Sequence, residues 1–293
     1  MLKYRIISFP VLMAVLFTVF CLPEYGNYVF TILATLLVGA VLFECGRLFN
    51  NMGIVNFPLL SSFLGGITAL TALTTVAMSL GKFPQSSIPL YYIFIIVIML
   101  PIIMIWGSVL FHHGEFFRRV IGSFGIFASL GSSMILLSLL YFLQGDAGKP
   151  QSNLLFYVCL TAKGMDIGGY IFGMTSARLL PGGNHKIAPT FSPKKSWEGF
   201  FGGVLFSVGI SLIFWKLSSG YYSWYLYLVS GVILGILSFF GDLTESGIKR
   251  SAGVKDSAGY IPGMGGVFDV LDSFIYIGPI AAIVYAAAQL CNI

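Results

Sequence analysis

About nine stretches of this 293-residue chain are apolar over lengths close to the roughly 20 residues that a helix needs to cross a bilayer. Short segments with charged residues, Pro or Gly separate them. They lie at residues 6–22, 28–43, 57–80, 90–111, 120–143, 154–175, 199–215, 223–241 and 270–290. The pattern predicts an all-α, polytopic integral membrane protein with about nine transmembrane helices.

Composition excludes several other classes of protein. Hydrophobic residues make up 57% of the chain and charged residues only 9%, which leaves almost nothing for a soluble domain. The basic residues behind the net charge of +5 are spread over short loops, so we expect no nucleic-acid partner. We attribute the positive charge to membrane anchoring and to attraction of anionic lipid or nucleotide. The four cysteines are scattered without CxxC spacing, which argues against a disulfide framework or a zinc site.

Basic residues predict the orientation of the chain. With the N-terminus inside, twelve Lys and Arg residues fall in cytoplasmic loops and three in outer loops. The prediction is a cytoplasmic N-terminus and an external C-terminus. No small-residue cleavage site follows the first apolar run, so we expect an uncleaved span there.

Polar residues concentrate in one part of the chain, because residues 161–272 hold seven of the eleven acids and nine of the sixteen bases. We therefore interpret residues 1–150 as scaffold helices and residues 151–293 as a catalytic region with cytoplasmic loops. The two halves show no matching interrupted helices, which disfavours a transporter built from repeats.

Two pairs of acids flank the last apolar runs with the same spacing. Asp242 and Glu245, like Asp269 and Asp272, are three residues apart and would share one face of a helix. Helix capping is the alternative, although one acid would suffice for it. We favour a site for a hard ion, Mg²⁺ above all, because carboxylates are plentiful and no Cys or His cluster is present.

We predict that Lys249, Arg250 and Lys255 lie in the same cytoplasmic loop as these acids. They are either ordinary positive-inside residues or phosphate ligands, and the alternation of acid and base favours phosphate, which needs both Mg²⁺ and cationic side chains. Gly265 and Gly266 precede the last acid pair, and glycines let a backbone approach phosphates closely.

Two further segments carry candidate residues. The stretch SPKKSWEG contains Ser192, Lys194, Lys195 and Ser196, which would contact a phosphate or headgroup, unless the lysines only stop translocation. Asp166 lies inside the sixth apolar run, three residues after Lys163. An ionisable residue at that depth indicates function, with a structural ion pair as the alternative.

These motifs together resemble the phosphatidate cytidylyltransferases, also called CDP-diacylglycerol synthases. Their signature has Ser, two variable residues, Lys-Arg, four variable residues and Lys-Asp, then Pro-Gly-His-Gly-Gly and Asp-Arg-x-Asp. The matching residues are Ser246, Lys249, Arg250, Lys255, Asp256, Pro262, Gly263, Gly265, Gly266, Asp269 and Asp272. Met264 stands in place of the His, and Val270 in place of the Arg. The FGD that ends at Asp242, the SPKKSWEG stretch and Asp166 also agree.

The resemblance implies that CTP and phosphatidic acid give CDP-diacylglycerol and pyrophosphate, with membrane lipids around the protein. It implies Mg²⁺ bound by Asp242, Asp269 and Asp272, with room for a second cation. Those three acids, Lys249 and Lys255 would be catalytic. The substrate-binding residues would be Asp166, Ser192, Lys194, Lys195, Ser196, Glu245, Ser246, Arg250, Asp256, Gly265 and Gly266. A bacterial inner membrane is the expected location, and a homodimer is one candidate assembly.

Other functions remain open at the level of sequence. A CTP-dependent lipid kinase acting on polyprenol or phytol has similar motifs and would transfer the γ-phosphate. A cation transporter would place Asp166, Asp242, Asp269 and Asp272 along its path. Met264 and Val270 leave open a catalytically impaired relative. A CDP-alcohol phosphotransferase is excluded, since its Asp-Gly-x-x-Ala-Arg pattern is missing.

Overall fold

The computed structural model describes residues 19, 23–84, 99, 102–103, 106, 114–143, 153–181, 183–190, 192–218, 223–261 and 265–290. Its helices are α1 Pro23–Asn51, α2 Pro58–Ser79, α3 Gly114–Ile126, α4 Ser132–Leu139, α5 Leu154–Leu179, α6 Trp197–Leu217, α7 Trp224–Ser251, α8 Val267–Leu271 and α9 Ile277–Leu290. A π-helical turn, Phe127–Gly131, joins α3 to α4, and a 3₁₀ turn, Asp272–Phe274, follows α8. Strands β1 Lys186–Ala188 and β2 Ser192–Ser196 precede α6.

Seven helical segments in the described part of the chain are long and apolar enough to cross a membrane. They are Tyr25–Asn51, Pro58–Ser79, Gly114–Leu139, Leu154–Leu179, Trp197–Leu217, Trp224–Ser251 and Val267–Val284. The predicted class, a helical integral membrane protein, is confirmed. The predicted runs 6–22 and 90–111 lie almost wholly outside the described residues.

Two helices continue well beyond the apolar runs that predicted them. The run 28–43 belongs to α1, which extends to Asn51, and the run 223–241 belongs to α7, which extends to Ser251. Lys249 and Arg250 were predicted in a loop and are instead in the last turn of α7. The boundary was wrong because hydropathy reports contact with lipid, whereas helical hydrogen bonds continue through polar residues that pair at i,i+4 spacing.

The described residues divide into two compact units. The first comprises those within Met1–Phe142 and Ser251–Leu271, and the second those within Leu143–Arg250 and Asp272–Ile293. The division of roles between residues 1–150 and 151–293 stays a prediction.

In the first unit, α1 and α2 form a hairpin whose turn is fixed by Asn56. The buried Asn56 amide donates to the carbonyl oxygens of Gly46 at 2.9 Å and Ile54 at 3.0 Å. Pro58 then begins α2, where its missing N–H costs nothing because the first amides of a helix have no helical acceptor. These contacts place Glu44, near the end of α1, inside the unit.

In the second unit, glycines allow α5 and α6 to approach closely. A Cβ built on Gly168 would overlap with Phe206, and one built on Gly203 would lie 2.5 Å from Sδ of Met165 and 2.7 Å from its carbonyl oxygen. Small residues at such an interface let helices pack through their backbones in a bilayer, where no hydrophobic force between helices is available.

We expect Gly203→Ala to lower the thermal unfolding temperature of the detergent-solubilised protein. The added methyl group would force Met165 and its backbone apart from α6, and overpacking of this kind costs about 1–3 kcal/mol. Gly209→Ala is the matched control on the same helix, because no side chain or neighbouring element among the described residues lies within 4 Å of a Cβ built there. An unchanged unfolding temperature for Gly203→Ala would contradict the close packing.

A two-stranded hairpin leads into α6 and was missed by the purely helical prediction. Strands β1 and β2 are antiparallel, with Lys186 opposite Ser196 and Ala188 opposite Ser192. The side chain of Ser196 then caps α6 by accepting a hydrogen bond from the Gly199 amide at 3.2 Å. The polar sequence of β2 lacks the apolar alternation that marks a strand.

The last predicted span, 270–290, begins earlier and is broken. Asp269 lies in α8, whereas Asp272 begins the 3₁₀ turn, so the prediction of one regular helix that carries both acids was wrong. Asp272 Oδ1 accepts hydrogen bonds from the amide of Ser273 at 2.6 Å and from its hydroxyl at 3.0 Å, which competes with helical bonding. Pro279, which lacks an amide donor, fits the first turn of α9.

Candidate functional site

Three carboxylates of the second unit converge near the end of α7. Asp242 and Glu245 stand one turn apart on this helix, and Asp272 comes from the 3₁₀ turn. One oxygen from each lies within 4.8 Å of the others. Glu245 is almost fully buried, with 1% of its surface exposed. Because Asp242 and Glu245 share one face of the helix, as predicted, both lie close to Asp272.

A glycine makes this convergence possible. A Cβ built on Gly241 would overlap with the carbonyl oxygen of Asp272 and would lie 3.1 Å from the carbonyl carbon and oxygen of Ser273. Every other residue type carries that Cβ. Gly241 thus allows the turn that carries Asp272 to lie directly against α7.

Two of the clustered carboxylates form ion pairs with predicted lysines. Nζ of Lys195, from β2, lies 2.8 Å from Oδ2 of Asp242 and 4.6 Å from the ring centre of Phe239. Nζ of Lys249 lies 2.5 Å from Oε1 of Glu245, one turn earlier on α7. These ammonium groups offset the repulsion that neighbouring carboxylates would otherwise experience.

The third carboxylate belongs to a network that also holds Asp166. Nζ of Lys163 lies 3.1 Å from Oδ2 of Asp166, 3.6 Å from Oδ1 of Asp272 and 2.9 Å from the hydroxyl of Ser273. The Ser273 hydroxyl lies 3.2 Å from the same Asp166 oxygen. Lys163 and Ser273 were not among the predicted site residues. Lys163 had a local signal, its three-residue spacing from Asp166, whereas Ser273 had only its position after Asp272.

The other predicted residues of the second unit differ in exposure. Lys194 is exposed on β2, Arg250 is exposed at the end of α7, and Ser192 and Ser246 are half-buried. Ser196 is buried and caps α6. Their predicted contacts with substrate stay predictions.

In the first unit, Asp269 binds the backbone of the loop that precedes it. Its Oδ2 accepts hydrogen bonds from the amides of Gly266 at 2.7 Å and Ser257 at 3.0 Å. Gly265 has φ of +97°, and a Cβ there would overlap with the same Asp269 oxygen. Asp269 thus organises this loop in the structure, and its predicted role as an Mg²⁺ ligand stays a prediction.

The rest of the signature lies around this loop. Lys255 and Asp256 are exposed, and Val270 is half-buried in α8. Ile261 and Gly265 exchange two backbone hydrogen bonds, of 2.9 and 3.1 Å. Pro262, Gly263 and Met264 lie outside the described residues.

The same loop is held by Glu44, a residue that sequence reasoning missed. Glu44 is 2% exposed and accepts hydrogen bonds from the Ser257 hydroxyl at 2.7 Å and from the amides of Val267 and Phe268, both at 2.9 Å. A Cβ on Gly266 would overlap with this carboxylate and with the Ser257 hydroxyl. The available signal was an acid at the end of an apolar run, where a charge is costly without a specific purpose.

The carboxylate cluster of the second unit has the donor set of a hard-cation site. Asp242, Glu245 and Asp272 offer only oxygen atoms, which suit Mg²⁺, and their separation allows one ion to bind more than one of them. Among the described residues, this is the one group of three or more potential ligands that meets this distance. Glu245, predicted to bind substrate, is thus a candidate metal ligand.

Comparison with known proteins agrees with these motifs. The family model described as "Cytidylyltransferase family" matches residues 3–288. A phosphatidate cytidylyltransferase of Staphylococcus epidermidis is 43% identical over 115 residues, which cover 39% of this chain and 42% of that protein. One from Synechocystis is 39% identical over 132 residues, covering 44% and 41%.

A plant relative extends the range of organisms. Phosphatidate cytidylyltransferase 5, chloroplastic, of Arabidopsis thaliana is 48% identical over 96 residues, which cover 31% of this chain and 23% of that protein. The matches to these curated relatives thus span less than half of their lengths. The family model, in contrast, covers nearly the whole sequence. The chain therefore belongs to the cytidylyltransferase family.

Proposed function

We propose that this protein is a Mg²⁺-dependent phosphatidate cytidylyltransferase, which converts CTP and phosphatidic acid to CDP-diacylglycerol and pyrophosphate. The observation that carries the proposal is the cluster of Asp242, Glu245 and Asp272 with its lysines, in a chain of the cytidylyltransferase family. The names of the relatives support the choice of substrates.

The reaction needs little proton transfer. A phosphate oxygen of phosphatidic acid attacks the α-phosphorus of CTP, and the bond from this phosphorus to the oxygen bridging the β-phosphate breaks. Pyrophosphate leaves with the electron pair. Because the attacking oxygen is already anionic, catalysis depends on positioning and on neutralising phosphate charge. A bound Mg²⁺ supplies part of that neutralisation.

The lysines of the cluster would supply the remainder. Lys195 and Lys249 carry ammonium groups on flexible stems, so they can contact phosphate oxygens when a cation binds their carboxylate partners. Lys163 would stay with Asp166 and Ser273 and keep Asp272 oriented. We base this division on the position of Lys163, whose Nζ contacts Asp166, Asp272 and Ser273 together.

The other predicted substrate-binding residues would contact CTP or the lipid. In the second unit these are Ser192, Lys194, Ser246 and Arg250, and in the first unit they are Lys255, Asp256, Gly265 and Gly266. We place these groups at the cytoplasmic surface of a bacterial inner membrane, because the distribution of Lys and Arg favours that orientation. Water-soluble CTP arrives from the same side.

The test is product analysis with CTP labelled at either the α- or the γ-phosphate. Purified protein in detergent with Mg²⁺ and phosphatidic acid is expected to transfer the α-label to lipid and to release the γ-label as pyrophosphate. Polyprenol or phytol is supplied in parallel reactions. Transfer of the γ-label to those alcohols, with release of CDP, would establish the lipid kinase instead.

Removal of the metal gives a second prediction. Treatment with EDTA is expected to abolish transfer of the α-label, and Mg²⁺ in excess over the chelator is expected to restore it, since the carboxylate cluster has the donor set of a hard-cation site. Full transfer in EDTA would contradict the proposed metal dependence. Cation flux into proteoliposomes without CTP, and no lipid product, would favour a transporter.

A further inference from the structure

We propose that Glu44 is a positioning residue that holds the loop formed by residues 255–261 and 265–266 in the conformation that binds the triphosphate of the nucleotide. The inference rests on the proposed function, because it assumes that CTP is a substrate. Glu44 lies on α1, more than 200 residues from the loop, and outside the sequence signature. Its contacts and the loop all belong to the first unit.

The Glu44 carboxylate is fully engaged by donors from one short segment. Oε1 accepts a hydrogen bond from the Val267 amide, and Oε2 accepts hydrogen bonds from the Phe268 amide and the Ser257 hydroxyl. A carboxylate buried in a membrane helix is costly, so an apolar side chain would serve better if only packing were required. The three donors indicate that the residue is there to hold this segment.

Glu44 and Asp269 hold the same segment from two directions. Ser257 donates its hydroxyl to Glu44 and its amide to Asp269, at 2.7 and 3.0 Å. Gly266 donates its amide to Asp269 at 2.7 Å and has no space for a Cβ because of Glu44 and Ser257. Loss of the Glu44 contacts would therefore weaken the hold on both ends of the loop and leave them to Asp269 alone.

The held segment carries an exposed cation, Lys255, whose ammonium group can pair with a phosphate oxygen. Triphosphate carries more negative charge than the single phosphate of phosphatidic acid, so it depends more strongly on fixed cations. We therefore expect Glu44 to affect the KM for CTP more than the KM for the lipid.

The decisive variant is Glu44→Gln. Glutamine keeps the length of the side chain but offers one acceptor oxygen, and its NH₂ group would face a backbone amide that is also a donor. We expect the KM for CTP to rise about tenfold or more, because small displacements of binding groups have large effects. The KM for phosphatidic acid should stay within about twofold, and hydrogen exchange at Ser257, Val267 and Phe268 should accelerate.

Thr31→Val is the matched control on α1. Thr31 is buried, as Glu44 is, but its hydroxyl donates to the carbonyl oxygen of Asn27 on the same helix, at 2.8 Å. This variant should keep both KM values and the slow exchange of the loop. Ser257→Ala removes one of three donors and should give an intermediate KM for CTP.

The outcomes separate this inference from the proposed function. Unchanged KM values and unchanged exchange in Glu44→Gln, with active wild type, would overturn the positioning role. A rise in the KM for phosphatidic acid alone would overturn the assignment to the nucleotide. If the wild type makes no CDP-diacylglycerol, the proposed function fails, and binding of CTP measured by calorimetry still tests Glu44: equal affinities of wild type and Glu44→Gln would overturn its role.

Discussion

Replacement of Asp272 by asparagine is expected to lower CDP-diacylglycerol synthesis by on the order of 10²- to 10³-fold. The substitution removes one charge from the cluster with Asp242 and Glu245 but keeps an acceptor oxygen for the amide and hydroxyl of Ser273. The 3₁₀ turn should therefore persist. Turnover at saturating substrates measures the loss, and Mg²⁺-dependent thermal stabilisation measures binding of the ion independently of activity.

Glu115→Gln is the control for removal of one negative charge. Glu115 is an exposed acid in the first turn of α3, in the first unit, so its loss should leave turnover and Mg²⁺ stabilisation unchanged. Turnover of Asp272→Asn within about threefold of the wild type would rule Asp272 out as an essential ligand. Loss of turnover with unchanged Mg²⁺ stabilisation would show that Asp272 acts in the reaction without binding the ion. Asp242 and Glu245 would then be the metal ligands.

Gly241→Ala is the second substitution with a large expected effect, and it adds only one methyl group. The methyl group would overlap with the carbonyl oxygen of Asp272, so the 3₁₀ turn would have to move away from α7. Displacement of a reacting group by about 1 Å can cost 10²-fold in rate, and we expect a loss of about that size. Steady-state turnover of the purified variant is the measurement.

The matched control for this change is Gly247→Ala on the same helix. In the described part of the chain, a Cβ on Gly247 would meet no side chain or neighbouring element within 4 Å, so the alanine should leave turnover intact. It should also stabilise α7 by up to about 1 kcal/mol, because alanine is the better helix former. If both alanine variants kept full turnover, contact between Gly241 and Asp272 would not be required for the reaction.

The sequence predicted the membrane class because a run of about 20 apolar residues is typical of a transmembrane helix. It also predicted that Asp242 and Glu245 share a helix face, since three-residue spacing fixes this wherever a helix forms. The length of α7 was harder to predict from the sequence. Its last turns are polar and are stabilised by Lys249 and Glu245, so the apolar pattern stops before the helix does.

The contacts of Glu44 could not be predicted from local pattern. Its partners Val267 and Phe268 are more than 200 residues away, and a single sequence has no periodicity that links such distant positions. Asp269 illustrates the same difficulty at short range. Its spacing from Asp272 indicated a shared helix face, but the side chain of Asp272 bonds Ser273 and interrupts the helix between the two acids.

The length of α7 would tie the proposed reaction to the lipid around the protein. At 28 residues the helix is about 42 Å long, whereas the hydrocarbon core is about 30 Å thick. The same rigid helix therefore spans the membrane and carries Asp242, Glu245 and Lys249. The depth of its apolar part in the bilayer sets the position of these residues relative to the membrane. A helix adjusts to bilayer thickness by tilting, so membrane thickness would become a physical variable of the proposed reaction.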